Sequence, residues 1–142
     1  MGRPMDDLRR RLLWHGTFLV LLALSTGIFL PFFITPRLGL AAHVGGVMNG
    51  TLIAVVGLFW GDLVLAPRTS RALYWATIYS GYANWAGLTL AAVFGTSRST
   101  PLLGAGHVGT PWQESVVAFC LTSGAVVILV AVAVVLMGLR RR

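Results

Sequence analysis

Four long apolar stretches, separated by short polar or Gly- and Pro-containing segments, dominate this chain. They contain no Asp, Glu, Lys or Arg and only two histidines, and they cover residues 14–35, 39–61, 72–97 and 115–139. A helix that crosses a bilayer needs roughly 20 predominantly apolar residues. The pattern therefore predicts an all-α fold, an integral membrane bundle of four transmembrane helices with spans near 12–35, 40–64, 71–96 and 112–139. Since little chain is left over, we expect residues 1–142 to form a single membrane domain.

Composition and charge agree with a membrane protein. Hydrophobic residues make up 56% of the chain and charged residues 11%, whereas a soluble domain carries about a quarter charged residues. The net charge of +7 comes entirely from arginine. All arginines except Arg37 and Arg98 lie at the chain ends or between the second and third spans. This positive-inside distribution predicts that both termini are cytoplasmic, and it explains the basicity without nucleic-acid binding.

His43 is the most informative residue, because it is an ionisable side chain near the predicted outer end of the second span. Such residues mark functional sites in membrane helices. On a helix, Gly46 and Gly50 fall within about 60° of His43, and Ala54 falls almost directly beneath it. An imidazole above a smooth floor suits a planar macrocycle, with His43 binding the metal and these three small residues lining the cofactor. The same spacing also fits a helix-packing seam, and the sequence leaves both interpretations open.

Polar side chains in the second and third spans supply the candidate catalytic residues. Asn49 lies on the flank of the small-residue groove, and Ser80 and Asn84 share a face of the third span, flanked by Tyr82. An asparagine in hydrocarbon must find a hydrogen-bonding partner within the protein. Asn49 and Asn84 could therefore serve a bound ligand or bond to each other.

The remaining ionisable residues restrict the function further. His15 lies at the opposite end of the membrane from His43, so the two cannot hold one metal within a protomer, and His107 falls in a Gly-rich outer loop. Asp62 and Glu114 lie near span ends. A proton-coupled transporter would need an acid in mid-membrane, so this class is disfavoured.

Three short motifs carry a family resemblance. They are His15-Gly16 in the first span, Ala42-His43-Val44-Gly45 followed by Asn49-Gly50 in the second, and Gly81-Tyr82-Ala83-Asn84 in the third. In order, spacing and span placement they resemble the styrene oxide isomerases, small bacterial integral-membrane proteins of four helices. The resemblance covers the first three spans, while the fourth is similar only in character.

The resemblance implies a homotrimer in the bacterial inner membrane, with haem b bound near the subunit interfaces. It implies that His43 is the axial ligand of the iron and that Asn49 lies beside the substrate. Such enzymes open an aryl epoxide to an aldehyde by a hydride shift, with ferric haem as the Lewis acid. The chain departs from the pattern at two positions, because Ser80 and Leu88 stand where the family has a polar acid and a tyrosine.

The sequence thus favours a haem-dependent membrane isomerase and leaves two alternatives. One is a haem-binding membrane protein for electron transfer or sensing, which a second axial ligand would favour. The other is a cofactor-free transport or assembly subunit, in which Gly46, Gly50 and the asparagines serve only in packing.

Overall fold

The computed structural model describes residues 4–140 and confirms the all-α prediction. Within this range the chain forms four α-helices and no strand: α1 Pro4–Ile28, α2 Pro36–Leu58, α3 Pro67–Phe94 and α4 Pro111–Leu139. Two short 3-10 helices, Leu30–Phe32 and Trp60–Asp62, follow α1 and α2. Arg3, Arg141 and Arg142 of the predicted cytoplasmic charge cluster lie outside the described residues.

Proline sets three of the helix starts. Pro36, Pro67 and Pro111 are the first residues of α2, α3 and α4. Proline suits this position because it lacks an N–H, and the first N–H groups of a helix have no partner within the helix. Helix α2 therefore begins with Pro36 and Arg37, ahead of the predicted start of the second span near residue 40. Both residues belong to the first turn of α2.

Three of the described helices are long and apolar enough to cross a membrane: Asp7–Ile28, Pro36–Leu58 and Pro111–Leu139. Helix α3 has 28 residues and is long enough as well, but its composition is more polar. Several of its polar residues are buried between neighbouring helices, among them Ser80, which is 2% exposed. The chain is thus a membrane protein, and α3, with its buried polar residues, lies between α2 and α4.

Consecutive helices run antiparallel, and the arrangement is open on one side. Helices α1, α2 and α3 pack against one another, while α4 packs mainly on α3. Much of α4 is consequently exposed, including Phe119 at 68% and Leu129 at 72%. These apolar surfaces require lipid or another protein chain to cover them.

The small residues of α2 form the seam with α1. A Cβ atom at Gly50 would lie 2.7 Å from the carbonyl oxygen of Gly16 and 2.9 Å from the nitrogen of Val20. A Cβ atom at Gly16 would lie 2.6 Å from the nitrogen of Ala54, and one at Gly46 would lie 2.6 Å from the Cβ of Ala23. The groove predicted beneath His43 is therefore not open within the protomer, because α1 fills it. This close backbone approach is the usual role of small residues in membrane helices.

A single methyl group added to this seam should lower the stability of the protein strongly. Gly50→Ala should lower the free energy of unfolding by about 1–3 kcal/mol, because its Cβ meets backbone atoms that cannot rotate away. Gly61→Ala is the matched control, since a Cβ atom there has nothing within 4 Å. Denaturant unfolding in detergent measures both. Equal stability of the two variants would contradict the packing described here.

Glu114 organises the loop between α3 and α4. Its carboxylate is 4% exposed and accepts hydrogen bonds from the backbone N–H groups of Ser97 (3.0 Å), Arg98 (3.0 Å) and Gly109 (3.2 Å). Bonds to a charged acceptor are the stronger kind. This acid therefore fixes the loop that leads into α4, away from the middle of the helices.

Candidate functional site

His43 is held against α1 by a single hydrogen bond. Its Nδ1–H donates to the carbonyl oxygen of Ala23 at 2.8 Å. Gly27 makes room for the ring, since a Cβ atom there would lie 2.7 Å from Nδ1. A proton on Nδ1 leaves the lone pair on Nε2. Nε2 has no hydrogen-bonding partner within residues 4–140 and is not among their buried unpaired atoms.

This arrangement is typical of a metal-ligating histidine. Such histidines donate their second ring N–H to a carboxylate or a backbone carbonyl, which fixes the tautomer and raises the basicity of the ligating nitrogen. No cluster of three or more His, Cys, Asp or Glu side chains suited to a metal ion occurs in the described part of the chain. His43 alone fits a metal that brings most of its ligands with it, as iron does in haem.

Asn49 and Asn84 form the second part of the candidate site. Asn49 Nδ2 donates to Asn84 Oδ1 at 3.0 Å, which confirms that the two amides bond to each other. Asn49 Oδ1 and Asn84 Nδ2 have no partner among the described residues, yet neither atom is buried. Both remain able to bind a ligand.

Leu88 and Gly45 border this amide pair. A Cβ atom at Gly45 would lie 3.4 Å from Asn84 Oδ1 and 3.5 Å from Leu88 Cδ1. The position at which the family resemblance implies a tyrosine is thus an apolar contact beside the two amides. Position 88 of the candidate site therefore offers no phenol hydroxyl.

His43 and Asn49 lie on different flanks of α2. They are about 120° apart around the helix and about 9 Å apart along it. His43 contacts α1, whereas Asn49 contacts α3. Between them, a Cβ atom at Gly46 would lie 2.7 Å from Cδ1 of Trp85, whose Nε1 donates to Thr26 Oγ1 of α1 at 3.1 Å. The Trp85 indole therefore separates the two flanks inside the protomer.

Ser80 and Tyr82 do not join the amide pair. The Ser80 hydroxyl donates to the Thr77 carbonyl oxygen at 3.1 Å, and the Ser80 backbone packs against Gly124 of α4. The Tyr82 hydroxyl donates to the carbonyl oxygen of His15 on α1 at 3.3 Å. Positions 80 and 84 differ by about 40° around the helix axis. The Asn84 amide bonds to Asn49 of α2, whereas the Ser80 hydroxyl bonds within α3. The structure thus brings together Asn49 and Asn84 alone of the four catalytic candidates.

Three contributors to the site were not predicted from the sequence. They are the Ala23 carbonyl, the space at Gly27 and the bridge from Trp85 to Thr26. A backbone carbonyl has no signature in the sequence. Gly27, near the end of α1, could have been noticed as a small residue level with His43 in an antiparallel pair.

Comparison with known proteins shows the family of this chain. The family model for styrene oxide isomerase matches residues 8–140. Hydroxylaminobenzene mutase HabB of Ectopseudomonas oleovorans is 42% identical over 140 residues, which cover 96% of this chain and 85% of that protein. Hydroxylaminobenzene mutase HabA of the same organism is 39% identical over 127 residues, covering 89% and 94%. No solved structure matches the chain significantly. The chain belongs to the styrene oxide isomerase family, and its two mutase relatives support an isomerase.

Proposed function

We propose that this protein is a haem-dependent membrane isomerase of arylhydroxylamines, which moves a hydroxyl group from nitrogen to a carbon of the aromatic ring. The names of HabB and HabA support this substrate class, since a mutase moves a group within one molecule. In such a step the N–O bond breaks and a C–O bond forms. The ring carbon loses a proton and the nitrogen gains one, so an aminophenol results without net oxidation or reduction.

The observation that carries the proposal is that the Asn49–Asn84 pair keeps one hydrogen-bond acceptor and one donor without a partner among the described residues. Asn49 Oδ1 is an acceptor, and Asn84 Nδ2 is a donor, and both are free for a ligand. An arylhydroxylamine carries N–H and O–H donors as well as acceptor atoms, so it can satisfy both amides. An epoxide has no donor and would leave Asn49 Oδ1 unpaired, at a cost of about 1–3 kcal/mol once the site is closed to water.

The residues around His43 fit haem b. The Nδ1–H bond to Ala23 leaves Nε2 as the ligating atom, and Gly27 allows the ring to lie close to α1. When bound there, ferric haem would supply a Lewis acid that polarises the substrate oxygen. The chain itself orients the imidazole through α1, binds the substrate's polar atoms at the amide pair and surrounds the ring with apolar groups such as Leu88.

A homotrimer would unite the two halves of the site. Because His43 and Asn49 lie on different flanks of α2, a ligand between neighbouring copies can meet His43 of one copy and the amide pair of the next. Exposed apolar residues on α1 and α2 suit such contacts, including Trp14 at 60% and Met48 at 66%. We place this assembly in a bacterial inner membrane, where a small aromatic substrate can enter from the bilayer.

Isomerisation of an aryl epoxide to an aldehyde is the second candidate. The match to the styrene oxide isomerase model favours it. The apolar side chain of Leu88 at the position of the family's tyrosine distinguishes the two candidates, because it removes a phenol from the site.

A parallel assay separates the two. Haem-loaded protein in detergent is given hydroxylaminobenzene in one reaction and styrene oxide in another, and the products are resolved by chromatography. We expect kcat/KM for aminophenol formation to exceed that for aldehyde formation at least about tenfold, the value of one unpaired amide acceptor. A preference for styrene oxide would overturn the proposed substrate class in favour of the epoxide.

A further inference from the structure

An exposed stripe on the first two turns of α3 combines positive charge with apolar surface. Arg68, Arg71, Ala72 and Trp75 are all exposed, with Trp75 at 61%. Their spacing places them on one face of the helix. Together with Pro67 they line a surface groove of about 440 Å³. This groove lies far from His43 and the amide pair, at the opposite end of the helices.

The polarity of the groove changes along the helix. Arg68 and Arg71 lie at its beginning, and Trp75 follows about 10 Å beyond Arg68 and about 6 Å beyond Arg71 along the helix axis. Arg68 and Arg71 are both exposed, so their guanidinium groups are accessible to a ligand. Arginine binds phosphate through paired N–H donors, and tryptophan favours the boundary between head groups and acyl chains.

We propose that this groove binds one anionic phospholipid, with its phosphate between Arg68 and Arg71 and an acyl chain along Ala72 and Trp75. The charge of the groove and its order, cationic first and apolar deeper, match a phospholipid that lies parallel to the helix. The groove also lies at the arginine-rich end of the protein, where Arg9, Arg10 and Arg140 are exposed as well. A basic surface at this level attracts anionic lipid.

Fluorescence quenching tests the site. The detergent-solubilised protein is titrated with phosphatidylglycerol or phosphatidylcholine carrying brominated chains, and the loss of tryptophan emission gives an apparent Kd. We expect tighter binding of phosphatidylglycerol. The double variant Arg68→Gln/Arg71→Gln should weaken it roughly 25-fold, since each basic residue near an anionic lipid contributes roughly fivefold. Trp75→Phe should remove part of the quenching amplitude without changing the Kd several-fold.

The double variant Arg9→Gln/Arg10→Gln is the matched control, because it removes the same charge from the same end of the protein. An equal loss of affinity in this control would overturn the proposed site and indicate only general surface attraction. Equal binding of both lipids by the wild type would overturn it too. Inorganic phosphate at millimolar concentration should not displace the lipid, and full displacement would indicate a site for the free anion instead.

Discussion

Replacing His43 with alanine is expected to abolish the Soret absorption of the haem-loaded protein and to lower isomerase turnover at least about 100-fold. Loss of a group that hydrogen-bonds to a metal ligand already costs about 10- to 100-fold, so loss of the ligand itself should cost at least as much. The fold should survive, because His43 makes a single hydrogen bond within the described residues, to Ala23. Absorption spectra of oxidised and reduced protein, together with circular dichroism, measure these effects.

His107→Ala is the control for this experiment. His107 lies in the loop between α3 and α4, and its Nδ1 makes no hydrogen bond with the described residues. We therefore expect this variant to keep the full Soret band. A His43→Ala protein that retains the band would contradict the assignment of the iron ligand. A colourless wild type, produced with ample haem, would favour a transport or assembly subunit instead.

Asn49→Leu should lower turnover about 10- to 100-fold while the haem spectrum stays unchanged. The variant removes the acceptor that we assign to the substrate, and such a loss costs about 1–3 kcal/mol of binding in the transition state. Asn84→Leu should act in the same direction, because it removes the acceptor for Asn49 Nδ2. Asn84→Asp keeps an acceptor at this position and should retain more turnover than Asn84→Leu. Steady-state kinetics with hydroxylaminobenzene measure all three variants.

Thr51→Val serves as the matched control on α2. Thr51 is exposed, and its hydroxyl bonds only to the Val47 carbonyl of its own helix. Its turnover should therefore stay at the wild-type level.

Co-expression of His43→Ala and Asn49→Leu subunits tests whether the site is shared between copies. Random mixing should restore about one quarter of wild-type turnover, because half of the interfaces receive each intact residue independently. Activity that stays at the level of the separate variants would contradict a shared site.

The helices could be predicted from the sequence because hydropathy and helix starts are local properties. Uncharged stretches of membrane length predict the four helices, and α2, α3 and α4 each begin at a proline. The predicted start of the second span near residue 40 is late, because a proline suits the first turn of a helix as well as its end, and α2 begins at Pro36.

The role of the small residues on α2 could not be predicted, because it depends on a distant part of the chain. Gly46, Gly50 and Ala54 have the same spacing in a cofactor floor and in a packing seam. Only the position of α1 distinguishes the two, and Gly16 lies directly against Gly50. His43 could be identified as a candidate from the rarity of histidine in a membrane span, but its bond to Ala23 could not be predicted.

The amide pair shows an intermediate case. Its two members could be identified as polar residues that need partners in hydrocarbon. Their mutual bond depended on the register of α2 against α3, in which the Asn49 amide lies 3.0 Å from Asn84. Ser80 has nearly the same position on the helical wheel, and yet its hydroxyl bonds to the Thr77 carbonyl of its own helix.

The most direct test of the central claim is the anaerobic conversion of hydroxylaminobenzene by the haem-loaded protein, without any added reductant. Mass spectrometry and chromatography follow the substrate and its products. We expect an aminophenol of the same mass as the substrate from the wild type, and at least about 100-fold less of it from His43→Ala. Unchanged substrate with the wild type, or aniline as the product, would contradict a haem-dependent isomerase of arylhydroxylamines.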